Sequence, residues 1–567
     1  MTAREQLAQF AAGSKALPRL CREYKKERAT VHLKELVGGA LSFYAAAAAA
    51  KTGGVHVFVA EDRDAAAYLM NDFYNLLDEK QVYFFPSSYK RSVAYGAEDA
   101  QGVVQRTAAM NAVKGFTKGY LIVCTYPEAL AERVADAETL RRDTIAVKVG
   151  DSISIAVLED ALVDANFTRV DFVYEPGQYS VRGGIVDVFS FSESKPYRID
   201  FFGDEVDSIR RFNISSQLSA DKLDRVEIIP NLNAGDGAAK VSFVQFAGDA
   251  AAYWFYDADY VLRRVNDIRR RTLADMERPD EIDRLMTSRN ALLGDLANCR
   301  MLALRDNLPE RPATAAVEFD TAPQPKFNKN FEMLADDMIR NSLRGYTTYI
   351  LSENKVQVER LENIFHQIGR GQAVVRPLSV TLHEGFVDND LKLCLYTDHQ
   401  IFDRYQRYRI NGEIRRDEQM TVAELNQLRP GDYVVHIDHG VGRFDGLVKI
   451  NENGKAHEAI KLVYKDGDVL FVNVHSLHRI SRYKSGDGEP PKVYKLGNGA
   501  WQKLKNATKK AVKDISRELI ALYAKRKASK GYAFSHDSYL QHELEASFRW
   551  EDTPDQQSAT AAIKKDM

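Results

Sequence analysis

The chain has 567 residues, 28% of them charged and 45% hydrophobic, with a formal net charge of −2. That length exceeds what one hydrophobic core supports and requires several domains, and the near-neutral balance excludes a global basic field for nucleic acid. No run of about 18 apolar residues is present to span a membrane. The start, MTAREQLAQFAAGSKALPRLCREYKKERAT, scatters charges through its apolar positions, unlike a secretory leader. Cys21, Cys124, Cys299 and Cys394 lie far apart without CxxC spacing, which argues against a disulfide framework or a zinc site. A cytoplasmic monomer is the expectation.

From Leu36 to Val149, helical patterns alternate with the β-branched runs Val55–Val59, Val82–Phe85 and Tyr120–Cys124. This alternation predicts a parallel α/β sheet. Near its start, Gly38-Gly39-Ala40-Leu41-Ser42 opens an Ala-rich helix, as a phosphate-cradling loop would. A GxxxxGK[ST] loop needs a Lys to reach the β and γ phosphates and a Ser or Thr to hold Mg²⁺. Here the residues are Ala-Leu-Ser, so the stretch is either a strand-to-helix turn without a ligand or a backbone cradle for some anion. No ATP turnover is expected from it.

The pattern turns hairpin-rich from about Ala165 to Asn213, with Val170–Tyr174, Gly183–Phe189 and Tyr197–Phe202 separated by EPGQ, SESK and GDE turns. Arg169, Arg182 and Arg198 punctuate these strands near Tyr179 and Phe189. Arginine with aromatics is the composition of interface hot spots, and a plain β-domain is the other reading. Residues 222–312 return to a strand, Val226–Ile229, and helices such as DADYVLRRVNDIRRRTLADM, which are expected to complete the first sheet. A link containing Pro309, Pro312, Pro323 and Pro325 leads to a second, smaller α/β unit with strands at Thr348–Leu351 and Leu391–Tyr396. The charged stretch RINGEIRRDEQ then reads as linker.

Short strands at Tyr433–Ile437, Ala459–Tyr464 and Val469–Val474, joined by NENG and KDGD turns, predict a small β-barrel, with Asp466-Gly467 as a hairpin turn. His436 and His439 beside Gly440 and Gly442 read as turn chemistry, or as two metal ligands lacking a third. The run AIKLVY, if it lies at an edge, offers unpaired N–H and C=O groups to a partner strand. Trp501–Lys530 reads as one long, basic, amphipathic helix, either solvated or against a DNA backbone.

Taken in order, EPGQYSVRGGIVDVF, YRIDFFGDEVDSIRRF, LHEGFV, GDYVVHIDHGVGRFDGL, VNVHSLHRISRY and FRWEDTPDQQSATAAIKKDM resemble the amino-terminal part of the bacterial transcription-repair coupling factors along nearly the whole chain. The first two stretches are also similar to UvrB. The resemblance implies a multidomain α/β protein. A UvrB-like module with a degenerate P-loop-like nucleotide site would cover 1–150 and 221–312, interrupted by a β-rich, UvrA-binding insert at 151–220. A small α/β domain of unassigned role (313–405), a linker (406–427) and a Tudor- or CarD-like barrel that grips the RNA polymerase β subunit (428–484) would follow. Residues 485–567 would hold the basic helix and the opening of a translocase motor.

By the same resemblance, Arg169, Arg182 and Phe189 would contact UvrA, Ile460, Lys461, Leu462, Val463 and Tyr464 would supply the polymerase-binding strand, and Phe548 and Gln556 of a Q motif would address adenine. It implies that the motor's Walker A loop lies beyond Met567. ATP, Mg²⁺ and double-stranded DNA would then belong to the full-length protein, and this chain would carry no cofactor or metal. The alternatives are a UvrB-type damage-loading subunit, disfavoured by the absent Lys, and a CarD-like transcription regulator, which has no need of a UvrB-like module.

Overall fold

A computed structural model describes residues 2–89, 99–214, 217–232, 239–276, 278–353, 355–404, 428–436, 439–452, 455–473 and 480–483, and beyond these scattered positions that include 537–546 and 554–567. The linker assigned to 406–427 lies outside the described residues, and of the helix assigned to 501–530 only scattered positions are described. The chain divides into two compact units. One comprises Met1–Arg142, Leu232–Gly412 and Phe534–Met567, and the other Asp143–Asn231 and Glu413–Ala533.

The first unit is built on a seven-stranded, wholly parallel sheet. Its order is Ala315–Glu318, Thr30–Lys34, Arg300–Ala303, Ala252–Phe255, Gly54–Val59, Tyr120–Thr125, Val82–Phe84. The central strands are buried almost throughout, and their continuous apolar runs suit a parallel sheet covered on both faces. The helix Ala40–Thr52 buries Ala45, Ala46, Ala48 and Ala49, whose small side chains let it pack closely. Asp62 and Asp257 cap the helices Arg63–Leu76 and Ala258–Asp275 by accepting from the amides of Ala65 and Tyr260.

The expected strand at Val226–Ile229 does not join this sheet. Arg225–Ile228 pairs antiparallel with Ile145–Lys148, and the sheet is completed instead by Ala252–Phe255, Arg300–Ala303 and Ala315–Glu318. Sequence patterning detects a strand but not its partner, and antiparallel pairing with a neighbour won here. The same unit holds a five-stranded mixed sheet in the order Thr321–Pro323, Phe386–Asp388, Leu393–Thr397, Thr347–Leu351, Pro377–Leu378. It packs around Phe327, Leu334, Ile350, Ile364 and Tyr396.

In the second unit a six-stranded sheet runs Ser219–Leu223, Glu205–Phe212, Tyr197–Phe202, Ile185–Val188, Gln178–Arg182, Thr168–Arg169. It is antiparallel except for the short last pair. Val186, Val188, Tyr197, Ile199 and Ile209 form its core. A separate antiparallel sheet of five strands runs Val469–Asn473, Lys455–Val463, Gly440–Glu452, Tyr433–His436, Ile480–Arg482. Asp466 and Gly467 both adopt positive φ, 63° and 84°, as the tight hairpin turn between the first two of these strands demands.

Candidate functional site

At the carboxyl ends of Gly54–Val59 and Ala252–Phe255, where open α/β sheets place ligands, lies a cavity of about 220 Å³. Gly38, Gly39 and Ser42 line one side, Phe58, Tyr68, Trp254 and Tyr256 form aromatic walls, and Glu61, Asp72 and Glu384 supply acids. Ser42, the residue that would hold Mg²⁺ in a working loop, is buried and donates its hydroxyl to Asp72 Oδ2 at 2.8 Å. Asp72 Oδ1 accepts from the His383 amide at 2.6 Å. Burial raises the Asp72 carboxyl to about 7, opposed by these two hydrogen bonds and aided by the charge of Glu384. The His383 ring stacks on Tyr68 with centroids 3.8 Å apart. The glycine at 39 is required by close approach, because an added Cβ would stand 2.1 Å from the Glu384 carbonyl oxygen.

These residues do not fit ATP with Mg²⁺. The hydroxyl is engaged, the neighbouring carboxylates repel phosphate, and a carbonyl of the same chain stands over the glycines. Among the described residues, no group of three or more His, Cys, Asp and Glu side chains is arranged to hold a metal ion. His436 and His439 stand ring to ring at 4.8 Å. Gly440 has φ +79°, and a Cβ there would lie 2.8 Å from the Trp501 ring, while one on Gly442 would meet Tyr464 at 3.0 Å.

In the six-stranded sheet, the arginines prove to have work inside the fold. Asp187, 1% exposed, accepts from Arg198 Nε at 2.7 Å and Nη2 at 2.8 Å and from Arg182 as well. Burial works against the Arg198 charge, yet the bonds and charge of Asp187 hold the guanidinium above its ordinary pKa. Arg182 lies over the Phe172 ring at 4.8 Å and Arg198 over Phe212 at 4.4 Å. Arg182, expected at the UvrA contact, therefore has a role inside the fold: a buried carboxylate needs its charge.

Phe189 is likewise core, 4% exposed and packed with Val173 and Phe212. Arg169 differs. Its side chain is 59% exposed and reaches Glu159 at 2.6 Å from an edge strand. Arg169, Tyr179, Val188 and Tyr197 form one cross-strand row, whereas Arg182 pairs with Ile185 at the other end of its hairpin. Sequence reasoning missed Phe202, 84% exposed at a hairpin end, and Leu218, 70% exposed. The period of two already sent Phe202 to the opposite face from Phe201.

AIKLVY is not an edge. Lys455–Val463 is hydrogen-bonded on one side to Gly440–Glu452 and on the other to Val469–Asn473. Ile460, Leu462 and Tyr464 are 1%, 0% and 3% exposed, so this run lies inside the sheet, second in its strand order. Burial pushes the Tyr464 phenol up. Lys461 pairs with Asp445 at 2.7 Å, and Val463 is half-buried. Among the described residues the edge beside it is Val469–Asn473, where Val469 and Phe471 are 38% and 47% exposed. Phe548 and Gln556 both lie on the surface, Gln556 in the helix Pro554–Asp566. Among the described residues, no helix is long and apolar enough to cross a membrane.

The family model described as the UvrB interaction domain matches residues 145–233, and that of the CarD-like/TRCF RID domain matches 428–484. Similar proteins include the transcription-repair-coupling factor of Bacillus subtilis (strain 168), 26% identical over 620 residues, with 94% of this chain and 52% of the relative covered. That of Escherichia coli (strain K12) is 26% identical over 607 residues, with 94% and 52% covered. That of Staphylococcus haemolyticus (strain JCSC1435) is 26% identical over 578 residues, with 88% and 49% covered. The chain spans about half the length of the curated relatives it matches.

Proposed function

We propose that this chain serves transcription-coupled DNA repair, engaging RNA polymerase through the five-stranded sheet at 428–484 and recruiting UvrA through the six-stranded module. One observation carries the reading. A UvrB interaction domain and a CarD-like/TRCF RID domain occur on the same chain, each coinciding with one of the sheets of the second unit. A UvrB-type loading subunit does not account for the second of these domains, nor a lone CarD-like regulator for the first.

The polymerase β subunit would add a strand to the edge Val469–Asn473, where backbone groups on one side and the exposed Val469 and Phe471 side chains are available. On the six-stranded module, Arg169 would be the arginine that contacts UvrA, because its side chain is 59% exposed and a guanidinium can meet a carboxylate of the partner with two parallel bonds. ATP and Mg²⁺ would serve a DNA-translocating motor of the full-length protein, to which Phe548 and Gln556 would contribute adenine contacts. This chain by itself would turn over no nucleotide.

Co-purification with the isolated β subunit and, separately, with UvrA tests the reading. Both partners should be retained by the folded chain. Retention of neither, with the chain folded by circular dichroism, overturns it.

A further inference from the structure

The glycine loop Gly38–Ser42 opens the helix Ala40–Thr52, and oxygen atoms of a segment far along the chain stand against it. The Glu384 carbonyl oxygen lies over Gly39, and an added Cβ on Gly38 would meet the Gly385 carbonyl at 3.1 Å and the Glu384 carboxylate at 3.3 Å. Acceptors of this kind are what the positive end of a helix favours. The Asp72 carboxylate joins the two sides, taking the Ser42 hydroxyl from the cradle and the His383 amide from the segment over it.

That segment is held just as closely from behind. The Gly385 amide donates to Gln400 Oε1 at 2.7 Å, the Gly385 carbonyl accepts from the Gln324 amide at 3.1 Å, and the His383 carbonyl lies 2.7 Å from His399 Nε2. A Cβ on Gly385 would fall 2.0 Å from Gln324 Oε1. Flanking contacts continue the seat. Asn75 Nδ2 donates to the Thr381 carbonyl at 2.9 Å, Phe386 meets Phe43 with rings 5.4 Å apart, and Tyr44 donates to Asp388.

We infer that Leu382–Gly385 is a built-in occupant of the relict nucleotide cradle, and that the role of the small α/β domain is to hold it there. A bound nucleotide comes and goes and lets a module change state with it; a segment of the same chain does neither. The device fixes the seven-stranded sheet and the small domain in one arrangement. It also gives the glycine pair a reason that involves no ligand, namely room for the Glu384 backbone. The inference stands on the first unit alone and is independent of the partners proposed above.

The test is hydrogen exchange and calorimetry on the whole chain carrying Gly39→Ala or Asp72→Ala. Gly39→Ala drives a methyl into the Glu384 carbonyl, and Asp72→Ala removes the shared acceptor without adding bulk. The His383 amide should exchange about tenfold faster or more in each, as loss of a hydrogen bond to a carboxylate entails. Strands of the small domain should lose protection while Tyr120–Thr125 keeps its own. The small domain should also melt separately from the sheet. Unchanged His383 exchange with a single melting transition in Asp72→Ala overturns the inference, whether or not Gly39→Ala folds.

Discussion

Arg198 closes on Asp187 with two hydrogen bonds of 2.7 and 2.8 Å, one to each carboxylate oxygen, inside a sheet where Asp187 is 1% exposed. A carboxylate so buried is tolerable only with its counter-charges in place. Asp187→Ala should therefore cost about 3 to 5 kcal/mol by stranding two guanidinium groups. Arg169→Ala, at an exposed ion pair, should cost less than about 1 kcal/mol. Urea titration of both variants separates the two cases, and comparable losses would contradict this assignment of roles.

The arginines considered for UvrA divide in the same way under mutation. Arg169→Ala should weaken UvrA binding with the fold intact, by about 1 to 2 kcal/mol if it is an anchor. Arg182→Ala should lower stability first. Isothermal titration against UvrA, with melting curves alongside, reads both, and undiminished affinity in Arg169→Ala would move the contact elsewhere.

In the five-stranded sheet, Leu462→Arg should unfold rather than disconnect, since Leu462 is 0% exposed between two hydrogen-bonded neighbours. Phe471→Arg should keep the sheet and lose the polymerase β subunit. Circular dichroism and a pull-down make the comparison. A folded Leu462→Arg protein that loses binding would restore Lys455–Val463 as the contact.

The pH dependence has a definite sign at Asp72. Its native pKa of about 7 lies above the ordinary 3.8 expected of the unfolded chain. Between those values the native state binds the extra proton, so stability from this group falls as pH rises through that window, and the cost is complete above about pH 7. Buried His56 and His399, both lowered to about 4 from 6.5, act oppositely and withdraw stability as pH drops below 6.5. Asp72→Asn retains both histidines. Its stability relative to the wild type should therefore rise between pH 5 and pH 8, measured by urea unfolding at about these two pH values. A constant difference would mean that Asp72 does not titrate in that range.

Neither phosphate release nor a shift in melting temperature should follow addition of ATP and Mg²⁺ to this chain. Turnover abolished by Ser42→Ala would refute the reading of the cradle.

Much of the architecture was legible because it rests on local rules. Continuous β-branched runs gave the parallel strands, and Asp466-Gly467 marked its hairpin through backbone angles that few residues adopt. What failed were inferences about which partner a strand or a side chain would take. Whether AIKLVY lay at an edge was decided by the pairing of Val469–Asn473, the use of Arg182 by Asp187 across a hairpin, and the partner of Arg225–Ile228 by Ile145–Lys148. The relict cradle was visible in Gly38–Ser42, but its occupant lies more than three hundred residues along the chain, in a stretch that sequence marked only as LHEGFV.

The strand Gly54–Val59 is hydrogen-bonded to Ala252–Phe255, and the entire hairpin-rich module is encoded between them. During synthesis the ribosome must deliver that module before the sheet's centre can close, an interval on the order of ten seconds or more at common elongation rates. Through it, half of a parallel sheet waits with an unpaired flank, the situation in which strands join the wrong neighbour. The antiparallel stem of Ile145–Lys148 with Arg225–Ile228 brings the two ends of the module together. Once that clasp forms, the chain leaves the module close to where it entered, and the loop that the two sheet strands must close is shortened.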